Sequence, residues 1–463
     1  MAYNFIECDR EQIYLMPPSL QEWLRGDHLV WFVIDAVKEM ALSAFYSKYR
    51  CDGWGRAAYE PSMMITLLVY AYCLGVRSSR AIERACEVDI AFKVITANQK
   101  PDYSTICRFR QENERELEEL FTEVLRLCAE AGMIKVGIVA LDGTKMEANA
   151  SLAANLTREH IEAEVKRMFK EAAVTDEAED TVYGKDQRGD ELPEGLRDRK
   201  SRLERLRECK ERLEREEAEK KQQQVEKIER RLVEETETGK KKRGRKPKEP
   251  DSLPEVDAKA NITDPESRIM KTRKGYVQGY NAQAVVTKDQ IIIAAEVTQE
   301  ENDVHQLCPM LELASAELKR VGSEEEAKIA LMDAGYWSEE NILRAGLYET
   351  ELLIATKKDW KQREVLRNAP PPMGRIPSGL SSRERMERKL LTKRGRKLYK
   401  LRSQTVEPIF GQIKEVRGCK RFMRRGYCAV RSEWLLICAT HNLLKLFRNG
   451  IALSDAPQAG RWN

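Results

Sequence analysis

The sequence predicts a mixed α/β protein: a helical N-terminal domain, then a mixed β-sheet flanked by helices and interrupted by a charged helical insertion. Three observations predict it. Apolar residues recur at helical spacing through the first 132 positions. Five short β-rich runs follow, most separated by helical patterns. A block dominated by Glu, Lys, Arg and Gln divides the first run from the others. At 463 residues the chain can bury a large core and exceeds one compact domain.

Residues 1–132 read as helices. Pro61 suits a first helical position, Met64, Leu67, Leu68 and Ala71 share one face, and Gly75 ends that helix. Ser78 or Ser79 can cap the next, with Ile82, Ala85, Cys86 and Ile90 on its buried side. Asp102 or Ser104 then caps a long helix whose Leu117, Leu120, Phe121, Val124 and Cys128 form a stripe ending near Gly132. The run from Tyr103 to Arg110 resembles the second helix of a helix-turn-helix, which makes Tyr103, Arg108 and Arg110 candidate DNA contacts; the alternative is a helical hairpin with surface arginines.

Residues 133–149 supply the first strand. Its core, VGIVALDGTK from Val136 to Lys145, carries an apolar run into Asp142. A carboxylate so placed is costly unless its charge is compensated, so Asp142 is either hydrogen-bonded for structure or a ligand. Residues 150–260 form the charged insertion. Leu196, Leu203, Leu206 and Leu213 keep a partial heptad, and Val225, Ile228 and Leu232 a second one out of phase, which predicts a helical hairpin or weak coiled coil. The insertion closes with KKKRGRKPK, where Arg243, Gly244, Arg245, Lys246 and Pro247 resemble an AT-hook. In that motif an extended backbone enters a narrow minor groove with basic side chains on either side. The usual second half reads Arg-Pro rather than Arg-Lys-Pro, and a solvated basic linker is the plain alternative.

Residues 261–448 resume the sheet. Tyr276–Thr287 and Gln290–Thr298 read as a hairpin turning at Lys288 and Asp289, and 303–321 as a helix. Lys328–Met332 is a short strand running into Asp333, and Glu351–Ala355 another, with a helix between them. Residues 356–398 form a basic loop and helix insertion containing Trp360. Leu398–Phe447 is helical again, with Trp434, Leu435, Ile437, Cys438, Leu443, Leu444 and Phe447 on a packing face and His441 and Asn442 as satisfied polar groups within it. Residues 449–463 read as a tail.

Composition narrows the function. The net charge of +4 conceals a local excess: between Ala355 and Arg425 there are 22 Lys/Arg against 6 Asp/Glu, a balance that suits a polyanion. Eleven scattered cysteines and four histidines offer neither a disulfide framework nor zinc-ligand spacing, so a metal would be held by oxygen. No apolar run reaches the roughly 18 residues of a membrane span and the start lacks a signal-peptide pattern. A cytoplasmic protein, nucleoid-associated when bound to DNA and without membrane contact, is expected.

Asp142 ending the first strand, Asp333 ending the fourth and Glu407 on a late helix resemble the DDE triad of bacterial insertion-sequence transposases. Their intervals are 333 − 142 = 191 and 407 − 333 = 74 residues. The late helix adds Tyr399, Arg402, Glu407 and Lys414, similar to the Tyr, Arg, Glu, Lys series of those enzymes. Arg402 is one residue further from Glu407 than in the commonest pattern, and Pro408 places a helix start or kink beside the glutamate. The segments YEPSMMITLLVYAYCLGVRSSRAIERAC and PDYSTICRFR resemble the InsH-like helical domain preceding the catalytic core in one group of them.

The resemblance implies an RNase H-like fold for 133–149 plus 261–448, with 1–132 binding DNA and supporting a dimer. It implies two Mg²⁺ (or Mn²⁺) ions held by Asp142, Asp333 and Glu407, with double-stranded DNA, both element ends and target, as partner. Such ions activate a nucleophile and stabilise the leaving oxygen, and carboxylates suit them. Lys414 and Arg402 would hold phosphate, and Trp360 would stack on an unpaired base. The expected activity is metal-dependent DNA cleavage and strand transfer. The alternatives are a non-catalytic DNA-binding or architectural protein and an RNase H-like nuclease without strand transfer.

Overall fold

The computed structural model describes residues 19–49, 57–168, 194–238, 249, 259–272, 275–345, 350–357, 359–374 and 377–451. Among the described residues seven α-helices come first: α1 (Leu29–Lys38), α2 (Ser43–Tyr46), α3 (Pro61–Cys73), α4 (Ser79–Val88), α5 (Ile90–Ile95), α6 (Tyr103–Glu112) and α7 (Glu114–Glu130). The single long helix expected after Asp102 is therefore two. Asp102 caps α6 by accepting from the Thr105 N–H at 2.7 Å. The break falls at Asn113, whose buried side chain donates to the Phe109 carbonyl at 2.8 Å, a local bond that competes with helix continuation.

The central sheet contains β1 (Ile138–Glu147), β4 (Arg268–Thr272), β5 (Gly275–Thr287), β6 (Ile292–Thr298), β7 (Ile329–Met332) and β8 (Glu351–Ile354). β5 pairs antiparallel with β1 on one side and with β4 and then β6 on the other; β1 pairs parallel with β7, and β7 parallel with β8. β1 is thus central, and β7, beside it, is the fourth strand of the sheet core after β1, β5 and β6. This is the mixed sheet expected, with one strand, β4, that no apolar alternation announced. Gly279 lets β1 and β5 close up, because a Cβ there would stand 2.1 Å from the Met146 carbonyl oxygen.

Helices cover this sheet. α10 (Leu307–Arg320) lies against β5 and β6, α13 (Ser382–Leu391) against β8, α14 (Lys393–Thr405) against β7, and the long α16 (Tyr427–Arg448) against β6. Two shorter helices, α11 (Glu339–Ala345) and α12 (Asp359–Asn368), follow β7 and β8, and α15 (Glu407–Gly411) follows α14. Trp434 of α16 is fully buried and donates its indole N–H to the Gln283 carbonyl of β5. His441 and Asn442 are buried and partnered: Asn442 exchanges hydrogen bonds with the backbone of Ile292, finishing the edge of β6.

The N-terminal helices share this core. α7, α3 and α1 all pack on α16, and one continuous set of buried side chains runs from Val30 through the sheet to Leu446. A buried ion pair, Arg77 with Glu433 at 2.9 Å, joins the segment before α4 to α16. The insertion has its own small core. Its ends pair as β2 (Asn155–Thr157) and β3 (Lys259–Asn261). A helix over 158–168, α8, and the 45-residue α9 (Glu194–Thr238) bury Ile161, Leu206, Cys209 and Leu213 with Ala260. The second set of apolar positions on α9 stays largely outside, with Val225 and Leu232 exposed. Among the described residues no helix is long and apolar enough to cross a membrane.

Candidate active site

The site grows from strand register. Ile138 of β1 pairs with Ile329 of β7, an offset of 329 − 138 = 191, and 333 − 142 is also 191. Continued two residues past the last pair, that register puts Asp333, the residue after the end of β7, level with Asp142 at the roughly 4.8 Å spacing of neighbouring strands. Asp142 does not end its strand as expected. β1 runs on antiparallel to β5 as far as Glu147, whereas β7 stops at Met332, so Asp142 lies where its parallel neighbour ends.

Each carboxylate is fixed locally. Asp142 Oδ1 accepts from the Gly143 N–H at 3.0 Å, and Asp333 Oδ1 accepts from the Gly335 N–H at 2.8 Å, opening the short turn Ala334–Tyr336. Glu407 is the first residue of α15. α14 ends at Thr405, Pro408 sits in the first turn of the new helix, and Glu407 stays 44 % exposed.

Arg402 lies among all three acids. Its guanidinium is 2.8 Å from Asp142, 3.9 Å from Asp333 and 3.9 Å from Glu407, and its side chain is only 6 % exposed. In this arrangement the guanidinium is turned inward to the carboxylates. The interruption at Val406 absorbs the extra residue between Arg402 and Glu407, so both face the same cleft. Burial is the main force on the Asp142 carboxyl, pushing it up to about 7; Arg402 pulls it down and Asp333 pushes it further up.

Lys414 stands apart from the acids. Glu407 and Lys414 do not lie on one continuous α-helix, because α15 passes at Gln412–Val416 into a π-helical turn, which changes the rotation per residue. Lys414 instead donates to the Lys145 carbonyl of β1 at 2.6 Å, and burial lowers its ammonium to about 8. Tyr399 is buried in α14. Trp360 lies within α12 rather than in irregular chain, because 359–368 is helical.

The N-terminal candidates divide. Tyr103 is 45 % exposed with the Arg80 guanidinium over its ring at 5.1 Å, and Arg108 is exposed. Arg110 is a correction: it is 6 % exposed and donates to the Arg77 carbonyl at 2.9 Å and to Ser79, so it ties α6 to the start of α4 and offers no surface contact. Its place on α6, four residues after fully buried Ile106, puts it on the inward face. Arg243, Arg245 and Lys246 lie outside the described residues.

One group escaped the sequence reading. Asp303, ahead of α10, brings a fourth carboxylate beside Gly143 and Gly335. It sits in a polar stretch, ENDVHQ, with no apolar run leading to it. The available signal was on β5, where Asn281 and Gln283 face one way on an otherwise apolar strand and require buried partners.

A central mixed sheet with two level aspartates at a strand end, a third acid delivered by a late helix, and flanking helices defines an RNase H-like α/β domain. Residues 18–112 match the family described as Transposase domain (DUF772), and residues 377–447 match the family described as Transposase DDE domain. Together these matches, at opposite ends of the chain, support its membership of the insertion-sequence DDE transposases. The second match covers Tyr399, Arg402, Glu407 and Lys414; neither covers Asp142 or Asp333. No curated protein and no solved structure matches the chain.

Proposed function

We propose that this transposase binds the ends of an insertion sequence and cuts and joins DNA strands using divalent metal held by Asp142, Asp333 and Glu407. The observation that carries the reading is the level placement of Asp142 and Asp333 with Arg402 reaching both and Glu407. The donor set fits Mg²⁺ or Mn²⁺ in kind, being oxygen only, with buried negative charge that a cation relieves. As they stand, no three ligating side chains among the described residues are grouped closely enough to hold an ion, and the Arg402 guanidinium supplies the positive charge between them. Arg402 keeps the acids together before DNA arrives and turns to phosphate when a metal takes over that charge. Bound metal, two ions in this reading, would activate the attacking water or 3′-hydroxyl and stabilise the leaving oxygen.

The remaining residues position DNA. Tyr103, Arg108 and the adjacent Arg80 present an aromatic and cationic surface to the duplex. Arg243, Arg245 and Lys246 grip the minor groove of A·T-rich sequence, Lys414 and the basic stretch of 356–398 follow the backbone, and Trp360 meets an unpaired base near the cut. A dimer on paired ends is expected. Purified protein incubated with Mg²⁺ and DNA carrying the element ends should nick those ends and join a 3′-hydroxyl to plasmid. Absence of any nicking with Mg²⁺ or Mn²⁺ would overturn the catalytic reading. A second reading, a non-catalytic DNA-binding protein, draws on Arg402 neutralising the acids; end binding indifferent to Mg²⁺, without cleavage, would favour it.

A further inference from the structure

Asp303 is placed with more care than a loop acid needs. Its Oδ1 accepts from Asn281 Nδ2 and from Gln283 Nε2, each at 2.7 Å. Both amides are fully buried on β5, where an unsatisfied polar group is expensive. Two glycines make room for it. A Cβ at Gly143 would lie 2.6 Å from Asp303 Oδ1, and a Cβ at Gly335 would lie 3.2 Å from Asp303 Oδ2 and 3.0 Å from Asp333 Oδ1. Asp303 therefore packs against the backbone of Gly143, next to Asp142, and of Gly335, near Asp333, more closely than a β-carbon at either position would allow.

The ordinary explanations do not account for it. Asp303 precedes the helical turn Val304–Gln306, yet its side chain makes no capping hydrogen bond. Lys145 is 3.8 Å away, and that ammonium donates instead to the Glu301 carbonyl. Asn281 adds an independent sign. Its Nδ2 serves Asp303 and the Glu300 carbonyl, while its buried Oδ1, 3.0 Å from where a Gly143 Cβ would be, has no hydrogen-bond partner. A lone acceptor oxygen beside a carboxylate cluster calls for a cation or a cation-bound water.

We propose that Asp303 is a fourth carboxylate of the divalent-cation site, anchored through Oδ1 by Asn281 and Gln283 and presenting Oδ2 beside Asp333 to the cation or one of its waters. The inference rests on the reading of Asp142, Asp333 and Glu407 as the metal-holding acids. Asp303 is then a positioning residue for the ion, and Asn281 and Gln283 orient it, as outer hydrogen bonds orient metal ligands elsewhere. With Asp303 included, four carboxylates face two cationic side chains, Arg402 and Lys145.

The test is Mn²⁺ binding to the full chain without DNA, measured by titration calorimetry for the wild type, Asp142→Asn and Asp303→Asn, with thermal melting in EDTA as a check on folding. The inference predicts that Asp303→Asn melts like the wild type and binds Mn²⁺ roughly tenfold more weakly, the scale of loss typical when a supporting group of a metal site is removed. Wild-type affinity in Asp303→Asn together with weakened binding in Asp142→Asn overturns this inference and leaves the active-site reading standing. Wild-type affinity in both variants overturns the active-site reading and this inference with it. Should Asp303→Asn melt early, Asp303→Ser, which keeps one acceptor for the β5 amides and removes Oδ2, takes its place in the same comparison.

Discussion

Arg402→Gln tests how the site holds itself together without metal. Arg402 meets Asp142 at 2.8 Å and Asp333 at 3.9 Å, with both the guanidinium and Asp142 largely buried. Unit charges 4 Å apart attract by about 4 kcal/mol at the effective dielectric of partly buried pairs. Glu407, 44 % exposed, adds little after solvent screening. Part of this attraction offsets the cost of burying the guanidinium, but removing one partner leaves the acids facing each other. The expected net loss is about 3–5 kcal/mol. In urea unfolding followed by tryptophan fluorescence, the variant in EDTA should be less stable by that amount. Mg²⁺ at about 100 times its dissociation constant should return roughly 2.7 kcal/mol and stabilise the variant more than the wild type. A loss below about 1 kcal/mol in EDTA, or one that Mg²⁺ leaves unchanged, would refute the reasoning.

Three further expectations follow, the first two from particular contacts. Glu433→Gln keeps the shape of a residue that binds Arg77 at 2.9 Å and the backbone N–H groups of Met423 and Arg424, but leaves Arg77 buried and unpaired. It should cost about 3–5 kcal/mol by urea unfolding, with Arg77→Met on the same chain restoring much of it. His441 lies between Gln412 and the Gln290 carbonyl, and burial lowers its imidazole to about 3 from an unfolded value near 6.5. The unfolded chain therefore binds the proton first. Stability is intact above pH 6.5 and is lost as pH falls from there toward 3, at about 1.4 kcal/mol per unit, and His441→Gln should lack that component of the slope. Arg243→Ala with Arg245→Ala should flatten the salt dependence of binding to A·T-rich duplex by about 1.8 in log–log slope, read by fluorescence anisotropy.

The parts of the fold legible in the sequence were those with a strong local period. β1, β5, β6, β7 and β8 each carry an apolar run that needs burial, and Asp142 and Asp333 stand out because such runs lead into them. That their separation equals a strand register was visible only once β1 and β7 were paired. β4 was missed because its residues alternate around charge, with only Met270 fully buried. The division between α6 and α7 is not legible in the sequence because the break at Asn113 depends on one side-chain bond. The approach of Arg402 to Asp142 is not legible in the sequence, since the interruption at Val406 that aims it there is a tertiary result. Asp303 was invisible from its own neighbours and is intelligible only from the amides of β5 that hold it.

The most direct measurement of the central claim is Asp142→Asn, with cleavage and binding assayed on the same end-bearing DNA in Mg²⁺. The substitution removes one charge at the position where β1 passes the end of β7 and leaves the surfaces around Tyr103, Arg108 and the basic insertion untouched. The account predicts that strand cleavage and joining fall below detection while end binding in EDTA stays within about twofold, a difference of under half a kcal/mol. Cleavage persisting near the wild-type rate would contradict it.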